Sequence, residues 1–586
     1  MGAAPVPYAP ETSQAPHEGS TVPPLVDEPA EMNAPEDEFG EAEDRRDGQR
    51  QPLDRRTSTR STKTLAGLAG QSTGVAPEGE KRDLEKGAGG EVEGEEVDGQ
   101  DDKSNADVIV VDWKGKDDPA CPLNWSNARR TGATFCVAAF TLLAPLSSSM
   151  IAPAAPQVAE KLHITNEVEI SMTVSIFVLA FSISPLLFGP ASELFGRVRV
   201  LQYSGVFYAI FNLVCAFATT RGQFIAFRFL AGLGGGAPLS IGAGVLADLW
   251  RPEERGKSSA LYSLGPLLGP AMGPIFGGWI AEKVPNDGYK IVFYATTGFS
   301  ALVQFIGLFY LKETYGPVLL HRQAQQLKKE MGLPPDSDRV QTVYEAKQGG
   351  KRKSTKDVIM HGMLRPFVLF FHEPILQSLA CLMSLIYGII YILIVSTTSV
   401  FEGTYGQSVG IASLHFIAMM LGFFLASQVG ARALDVIYRK LKAREGGKGR
   451  PEFRLPLTFP AVAILPLGLF LYGWGAERQF HWIVPDIGLF LVALAMILVF
   501  TGCQSYILDA FSLHAASAIA VGTCLRSILG FAFPLFAPYM YNAIGYGWGC
   551  TILALVSIAV GWTAVPLLYV YGERIRLHSK FAAKQK

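Results

Sequence analysis

A chain of 586 residues has the length of about four soluble domains. Its composition excludes that organisation: 18% of residues are charged, 49% are hydrophobic, 60 are Gly and 36 are Phe, and the mean hydropathy is +0.24. The net charge of −1 conceals two opposed segments, because residues 1–128 hold 28 acidic and 13 basic side chains, a net of −15, and the remainder carries +14. That basic excess lies between apolar stretches, which fits a membrane topology better than a nucleic-acid partner.

Residues 1 to about 105 are rich in Pro, Gly, Ser, Thr and acidic residues and show no apolar periodicity, so they are expected to be disordered. No apolar stretch near Met1 reads as a cleavable signal. Within this tail Arg55-Arg56-Thr57-Ser58 has the form of a basophilic kinase site, which makes a kinase a candidate partner.

Twelve stretches of about 20 residues follow, each able to cross about 30 Å of hydrocarbon. They fall at 131–152, 169–190, 199–219, 223–247, 256–281, 290–311, 374–400, 408–429, 456–475, 483–505, 515–538 and 547–570. Arg197 and Arg199, then Arg251, Arg255 and Lys257, then Lys351 to Lys353, then Arg432 to Arg454 occupy alternate connections on one side. The other side has Lys161, Arg221, Lys283 and Arg478 as its main bases. The positive-inside rule makes the basic side cytoplasmic, with both termini there. The sequon Asn124-Trp125-Ser126 is then expected to stay unglycosylated.

The polar connection at 312–373 divides the spans six and six. The expected organisation is an acidic, mostly disordered cytoplasmic tail (1–128), a six-helix bundle (129–311), a central cytoplasmic loop (312–373), a second bundle (374–571) and a cytoplasmic tail (572–586). The seven cysteines show no CxxC spacing and read as small buried hydrophobes, with no disulfide or metal implied. No cofactor is expected.

The turn after the second span reads Gly189-Pro190-Ala191-Ser192-Glu193-Leu194-Phe195-Gly196-Arg197. Glycine permits a tight turn and close helix approach, and an acid and a base at this spacing can lock helix ends together. The string resembles the signature of the major facilitator superfamily between its second and third helices. Leu194 and Val198 stand where that family often has further bases.

Span four contains Arg228 and span eleven Arg526. A guanidinium in hydrocarbon costs about 2.5–3.5 kcal/mol on the lenient scale, so both are expected to face the bundle interior or water. By resemblance Arg228 matches the superfamily arginine associated with proton coupling. Asp509 is a candidate partner of Arg526 or a cap of the turn between spans ten and eleven. Span five carries Gly265, Gly269-Pro270, Gly273-Pro274 and Gly277-Gly278, a stripe of small residues that favours close packing with prolines that bend the helix. It resembles the superfamily's antiporter motif, which implies export. Tyr387 and Tyr391, four apart on span seven, could line a cavity or simply pack.

Two other patterns are set aside. Gly232, Gly234 and Ala237 fit GxGxxA, but within a membrane helix and with no strand before them. His481 and Asp486 have an HxxxxD spacing like that of lipid acyltransferases, on the wrong side for a cytosolic acyl donor. No Walker A sequence occurs, so ATP is not the expected direct energy source.

Further strings resemble fungal twelve-helix drug:proton antiporters: Pro122-Leu123-Asn124-Trp125, Asp248-Leu249-Trp250, Glu313-Thr314-Tyr315-Gly316-Pro317 and Pro451-Glu452-Phe453-Arg454. The resemblance spans about 110–578. It implies an all-α membrane protein with the major facilitator fold, twelve helices in two bundles, that exports drugs, polyamines or secondary metabolites as a monomer against a proton gradient. Arg228, Arg526 and Asp509 would serve coupling, and Gly189, Glu193, Gly196, Arg197 and Asp248 a cytoplasmic gate. The expected membrane is the plasma membrane, with the vacuole as alternative. An uptake symporter or a transport-derived sensor on the same fold are the alternative functions.

Overall fold

The computed structural model describes residues 108–115, 117–251, 254–347, 355–579 and 581–582. The acidic tail with Arg55-Arg56-Thr57-Ser58, and Lys351 to Lys353, lie outside the described residues.

The described residues are helical almost throughout. The first half contains α1 (Asn127–Met150), the short α2 (Ala155–Lys161), α3 (Glu167–Phe195), α4 (Arg197–Cys215), α5 (Arg221–Gly235), α6 (Ala237–Leu249), α7 (Arg255–Lys283) and α8 (Gly288–Tyr310). The connecting region holds α9 (Gly316–Glu330), α10 (Val343–Lys347) and α11 (Thr355–His372). The second half contains α12 (Pro374–Tyr405), α13 (Val409–Leu414), α14 (Phe416–Arg444), α15 (Thr458–Glu477), α16 (Ile483–Ala510) and α17 (Ala515–His578).

Ten helical segments among the described residues are long and apolar enough to cross a membrane. Two further crossings make twelve. One is α7, whose 29 residues include Pro266, Pro270 and Pro274 and whose glycines and prolines dilute its apolar character. The other comes from α17, whose 64 residues are two helices broken at Gly545, φ 75°. Only glycine adopts that angle readily. Glu477 accepts the N–H of Tyr546 at 2.8 Å just beyond it, which satisfies a donor at the start of the last helix. Span four is also broken, at Gly236 between α5 and α6, with Pro238 in the first turn of α6, where its missing N–H costs no helical hydrogen bond.

The helices form two six-helix bundles. In the first, α1 packs along α7 and α3 along α5; in the second, α12 packs against α17 and α15 against α16. The bundles meet where α3 runs beside α17 and where α14 and α13 meet α7. We call the end bearing the Arg- and Lys-rich connections the basic face. On the opposite face the bundles are joined by Asn542 Nδ2 donating to Glu167 at 3.1 Å and by Gly410 N–H donating to Glu282 at 2.7 Å. Midway, the Cys524 thiol donates to the Ser182 carbonyl at 2.9 Å.

The connecting region is more structured than its polar composition suggests. A strand β1 (Ile109–Val111) ahead of α1 pairs in parallel with β2 (Val340–Thr342), in the register Ile109 to Val340 and Val111 to Thr342. The segment before the first span is thereby fastened to the link between bundles. α11 packs against both α3 and α17, so this link touches both halves at the basic face.

Candidate functional site

Arg228, on α5, is fully buried. Its Nε donates to the Thr173 carbonyl at 3.2 Å, and its two Nη atoms donate to the carbonyls of Ser147 and Ser148 at 3.3 Å each. Ser147 and Ser148 lie in the last turn of α1, where carbonyls have no helical N–H ahead of them and the macrodipole is negative. A cation fits such a terminus, and charge-assisted bonds of about 1.5–3 kcal/mol each offset its burial. The guanidinium also lies over Phe177, 4.5 Å from the ring centroid. Among the described residues no carboxylate lies within 4 Å of it.

A polar line leads from this arginine into the second bundle. The Ser148 hydroxyl meets the Tyr391 hydroxyl at 3.2 Å, and the rings of Tyr391 and Tyr387 lie 5.0 Å apart on α12. Arg526, on α17, lies over Tyr387 at 5.4 Å and near Phe500 at 5.8 Å. Its Nε is buried without a hydrogen-bond partner. Two guanidinium groups, one per bundle, are thus separated by two phenol rings tilted 51° to each other at the bundle interface.

Asp509 is not part of this line. Its carboxylate accepts from Arg454 Nε at 2.8 Å at the basic face, so the structure gives it Arg454 as partner in place of Arg526.

At the basic face of the first bundle, Arg197 Nε contacts Asp248 at 2.8 Å, and its Nη1 reaches Ser192 Oγ at 3.3 Å. Gly196 has φ 100°, which favours glycine, and a Cβ there would strike the Glu313 carboxylate. That carboxylate accepts the N–H groups of Arg197, Thr314 and Tyr315 at 2.9, 3.1 and 3.1 Å. Thr314 Oγ1 adds a bond to Asp248 at 3.3 Å, and the Arg197 guanidinium lies 4.8 Å from the Tyr315 ring centroid. Burial pushes the Tyr315 phenol up to about 12, with the negative charge of Glu193 adding to the effect and Arg197 opposing it.

Glu193 itself is exposed and lines a cavity of about 750 Å³ with Arg199, His321, Arg365 and Ser517. Its carboxylate does not pair with Arg197. The acids that meet Arg197 are Asp248, by its side chain, and Glu313, through the backbone. A Cβ at Gly189 would have nothing within 4 Å, so packing here leaves that position open.

Arg454 and Asp509 repeat the Arg197–Asp248 pattern in the second bundle: an arginine at the start of the third helix of a half bonded at 2.8 Å to an aspartate at the end of its fourth. Glu452 beside Arg454 is buried with Arg576 at 3.3 Å. The repeat is spatial, since the two strings share little sequence.

The glycines of α7 face α1. A Cβ on Gly265 would lie 2.8 Å from the Ala138 carbonyl, on Gly269 2.9 Å from Leu146 N, and on Gly273 2.7 Å from the Leu146 carbonyl. Gly277 faces the Met150 carbonyl, whereas Gly278 faces Ser413 of α13, across the bundle interface. Pro270 and Pro274 lie inside α7 between these contacts.

Sequence reasoning passed over Glu313 as a gate residue. The signal available was its place in the Glu313-Thr314-Tyr315-Gly316-Pro317 string; nothing local ties it to a residue 116 positions earlier.

A family model described as Major Facilitator Superfamily matches residues 137–534. The chain is 42% identical over 482 residues to "Efflux pump vrtL" of Penicillium aethiopicum, covering 82% of this chain and 93% of that one. It is 36% identical over 482 residues to "Efflux pump radE" of Floropilus chiversii, covering 82% and 87%. Among solved structures it resembles the xylose transporter XylE from E. coli in a partially occluded inward-open conformation, with TM-score 0.56 and 15% identity over 76% of this chain and 98% of that one. A bacterial homologue of the human lysosomal transporter Spinster, inward-facing and unoccupied, gives TM-score 0.52 and 14% identity over 79% and 100%. Identities this low speak to fold alone.

Proposed function

The chain belongs to the Major Facilitator Superfamily and is a multi-pass membrane transporter, and from that footing we propose that it exports an amphipathic small molecule in exchange for protons. The two bundles rock about the interface that holds Arg228 and Arg526, exposing it to each side in turn. The observation that carries this reading is the line Arg228, Ser148, Tyr391, Tyr387, Arg526. It places a cation from each bundle at one interface, flanked by amphipathic rings, with one guanidinium nitrogen unpaired. A substrate carrying an acceptor group and an apolar body suits that lining.

The names of the similar fungal proteins, efflux pumps, favour the outward direction. The glycine seam between α7 and α1 accords with it, because α7 also touches α13 of the other bundle and so can transmit movement.

The basic face is then cytoplasmic and the protein lies in the plasma membrane as a monomer, with bundles at 129–311 and 374–571 joined by a cytoplasmic loop. Arg197, Asp248 and Glu313 hold the basic ends of the first bundle together as the gate opens and shuts. A kinase acting on Thr57 or Ser58 is the proposed partner of the tail.

Comparison of extracellular and intracellular small molecules in the source organism, with the gene intact, deleted, or carrying Arg228→Ala, tests the reading. Export requires at least one compound to fall outside and accumulate inside in both altered strains. Unchanged profiles and unchanged drug tolerance while the protein is being made would reject it.

A further inference from the structure

At the opposite face His415 and Asp486 are buried against each other, each 8% exposed. His415 Nδ1 lies 2.8 and 2.9 Å from the two carboxylate oxygens, and Nε2 lies 2.8 Å from Gln407 Oε1. Nδ1 thus faces a carboxylate and Nε2 an amide whose oxygen is turned toward it; in this orientation of the amide both nitrogens bond as N–H donors, as in the imidazolium. Its ring is stacked on Phe401, with centroids 3.5 Å apart and planes 4° from parallel, as suits a cation over an aromatic face.

Other groups surround the pair. From α12, Glu402 is partly buried, and Tyr405 donates to the Gly475 carbonyl at 3.0 Å. From the start of α16, Trp482 presents its edge at 5.7 Å and is itself 5.1 Å from the ring of His481. The charged groups on the neighbouring end of α7 are Glu282, held by Gly410 N–H, and Lys283, 5.8 Å from the Trp279 ring.

The pair is joined to the contact that closes this face. Gln407 follows Gly406, which takes φ 63° in the turn leading to α13. α13 then meets α7 twice: Gly410 N–H donates to Glu282 at 2.7 Å, and Ser413, fully buried, lies against Gly278. Two elements of different bundles touch here, and the turn that sets their position is tied to one edge of the imidazole, at Nε2.

We propose that His415 and Asp486 form a proton-binding site open to the opposite face, and that its protonated state holds the α7–α13 contact shut. The inference rests on the reading of the chain as a proton-coupled carrier. When the proton leaves to water on that side, the remaining N–H stays on Nδ1 toward Asp486, and Nε2 becomes a lone pair facing the Gln407 oxygen. The amide must turn to offer its NH2 group, the 406–408 turn moves, and α13 loosens from α7. For an exporter this order is productive: a proton taken up from outside after substrate release shuts the outer contact and returns the carrier inward.

The test uses Ser413→Cys in the full-length protein, reconstituted in sealed proteoliposomes. Labelling at residue 413 by an impermeant maleimide on the opposite face is read by peptide mapping, which separates it from the native cysteines, as external pH is raised from about 5 to 9. Labelling is expected to rise about fivefold, the population change that follows loss of one hydrogen bond of ordinary net strength. With His415→Gln the response flattens. With Gln407→Glu, which keeps an acceptor beside Nε2 and adds negative charge, the rise moves to higher pH. An unchanged response in His415→Gln, or no shift with Gln407→Glu, overturns the proposal.

Transport of 8-anilinonaphthalene-1-sulfonate, an amphipathic anion, driven by a pH gradient and measured in the same vesicles, separates this from the broader reading. Gradient-driven transport with pH-independent labelling refutes the His415 site and keeps antiport. pH-dependent labelling that His415→Gln removes, without gradient-driven transport, keeps the site and refutes antiport.

Discussion

The seam between α1 and α7 makes a quantitative demand on Gly273. A methyl group there would sit 2.7 Å from the Leu146 carbonyl and 2.9 Å from Met150 N, both closer than real side chains approach backbone. The helices must separate, and overpacking of this kind costs about 1–3 kcal/mol. Alanine also gains about 0.8–1 kcal/mol over glycine in a helix interior, which confuses a comparison with the parent alone. Gly298 of α8 supplies the control, since a Cβ there has nothing within 4 Å. Both variants receive the same helix gain, so their difference isolates the seam: Gly273→Ala should be less stable than Gly298→Ala by about 1–3 kcal/mol. Denaturant unfolding in detergent, followed by Trp fluorescence, reads this difference. Gly298→Ala should match or exceed the parent, Gly273→Ala should fall below it, and transport should fall with it. Equal stability of the two variants would mean that α1 and α7 are not in backbone contact, and the seam argument would be wrong.

Three further outcomes follow from the same geometry. Arg228→Lys keeps the charge but cannot reach three carbonyls on two helices, so transport of the amphipathic anion 8-anilinonaphthalene-1-sulfonate should drop at least about tenfold while the protein still folds, as size-exclusion profiles would report; full activity would contradict the role given to the fork of donors. Glu313→Gln should weaken the turn that orders Arg197, raising hydrogen exchange at the Arg197, Thr314 and Tyr315 amides, which donate to that carboxylate; unchanged exchange would remove Glu313 from the gate. Burial pulls the Glu345 carboxyl upward, but Thr342, through its N–H and hydroxyl, and His321 outweigh that and hold it below its ordinary range. Its contribution to seating β2 and α10 is present above about pH 4.3 and is lost as pH falls through the lower folded value. Protection at residues 340–345, taken relative to the intrinsic exchange rate at each pH, should therefore fall at acid pH, and Glu345→Gln should remove that dependence.

Much of this architecture is written in the chain because membrane helices obey length and apolarity, which are local properties. Arg197 and Arg228 announce themselves by charge in apolar surroundings. Features set by contact across long separations are not written locally. Asp509 has Arg454 as partner, 55 residues away, and no property of either residue identifies the other. β1 and β2 are three residues each, too short to show alternation. The break at Gly236 was foreshadowed by Gly234-Gly235-Gly236-Ala237-Pro238, yet the surrounding run is apolar on both sides apart from Arg228 and reads as one span. Asp486 drew notice beside His481, but the structure gives it His415, reached only when α14 and α16 are laid side by side.

The most direct test of the central claim is proton movement coupled to export. Purified protein in liposomes, with an internal pH dye and the amphipathic anion 8-anilinonaphthalene-1-sulfonate supplied at the basic face, should show probe moving toward the opposite face as protons move the other way. Both fluxes should disappear in Arg228→Ala and when a protonophore collapses the gradient. Probe movement that ignores the gradient, or protons and probe travelling in the same direction, would contradict the account.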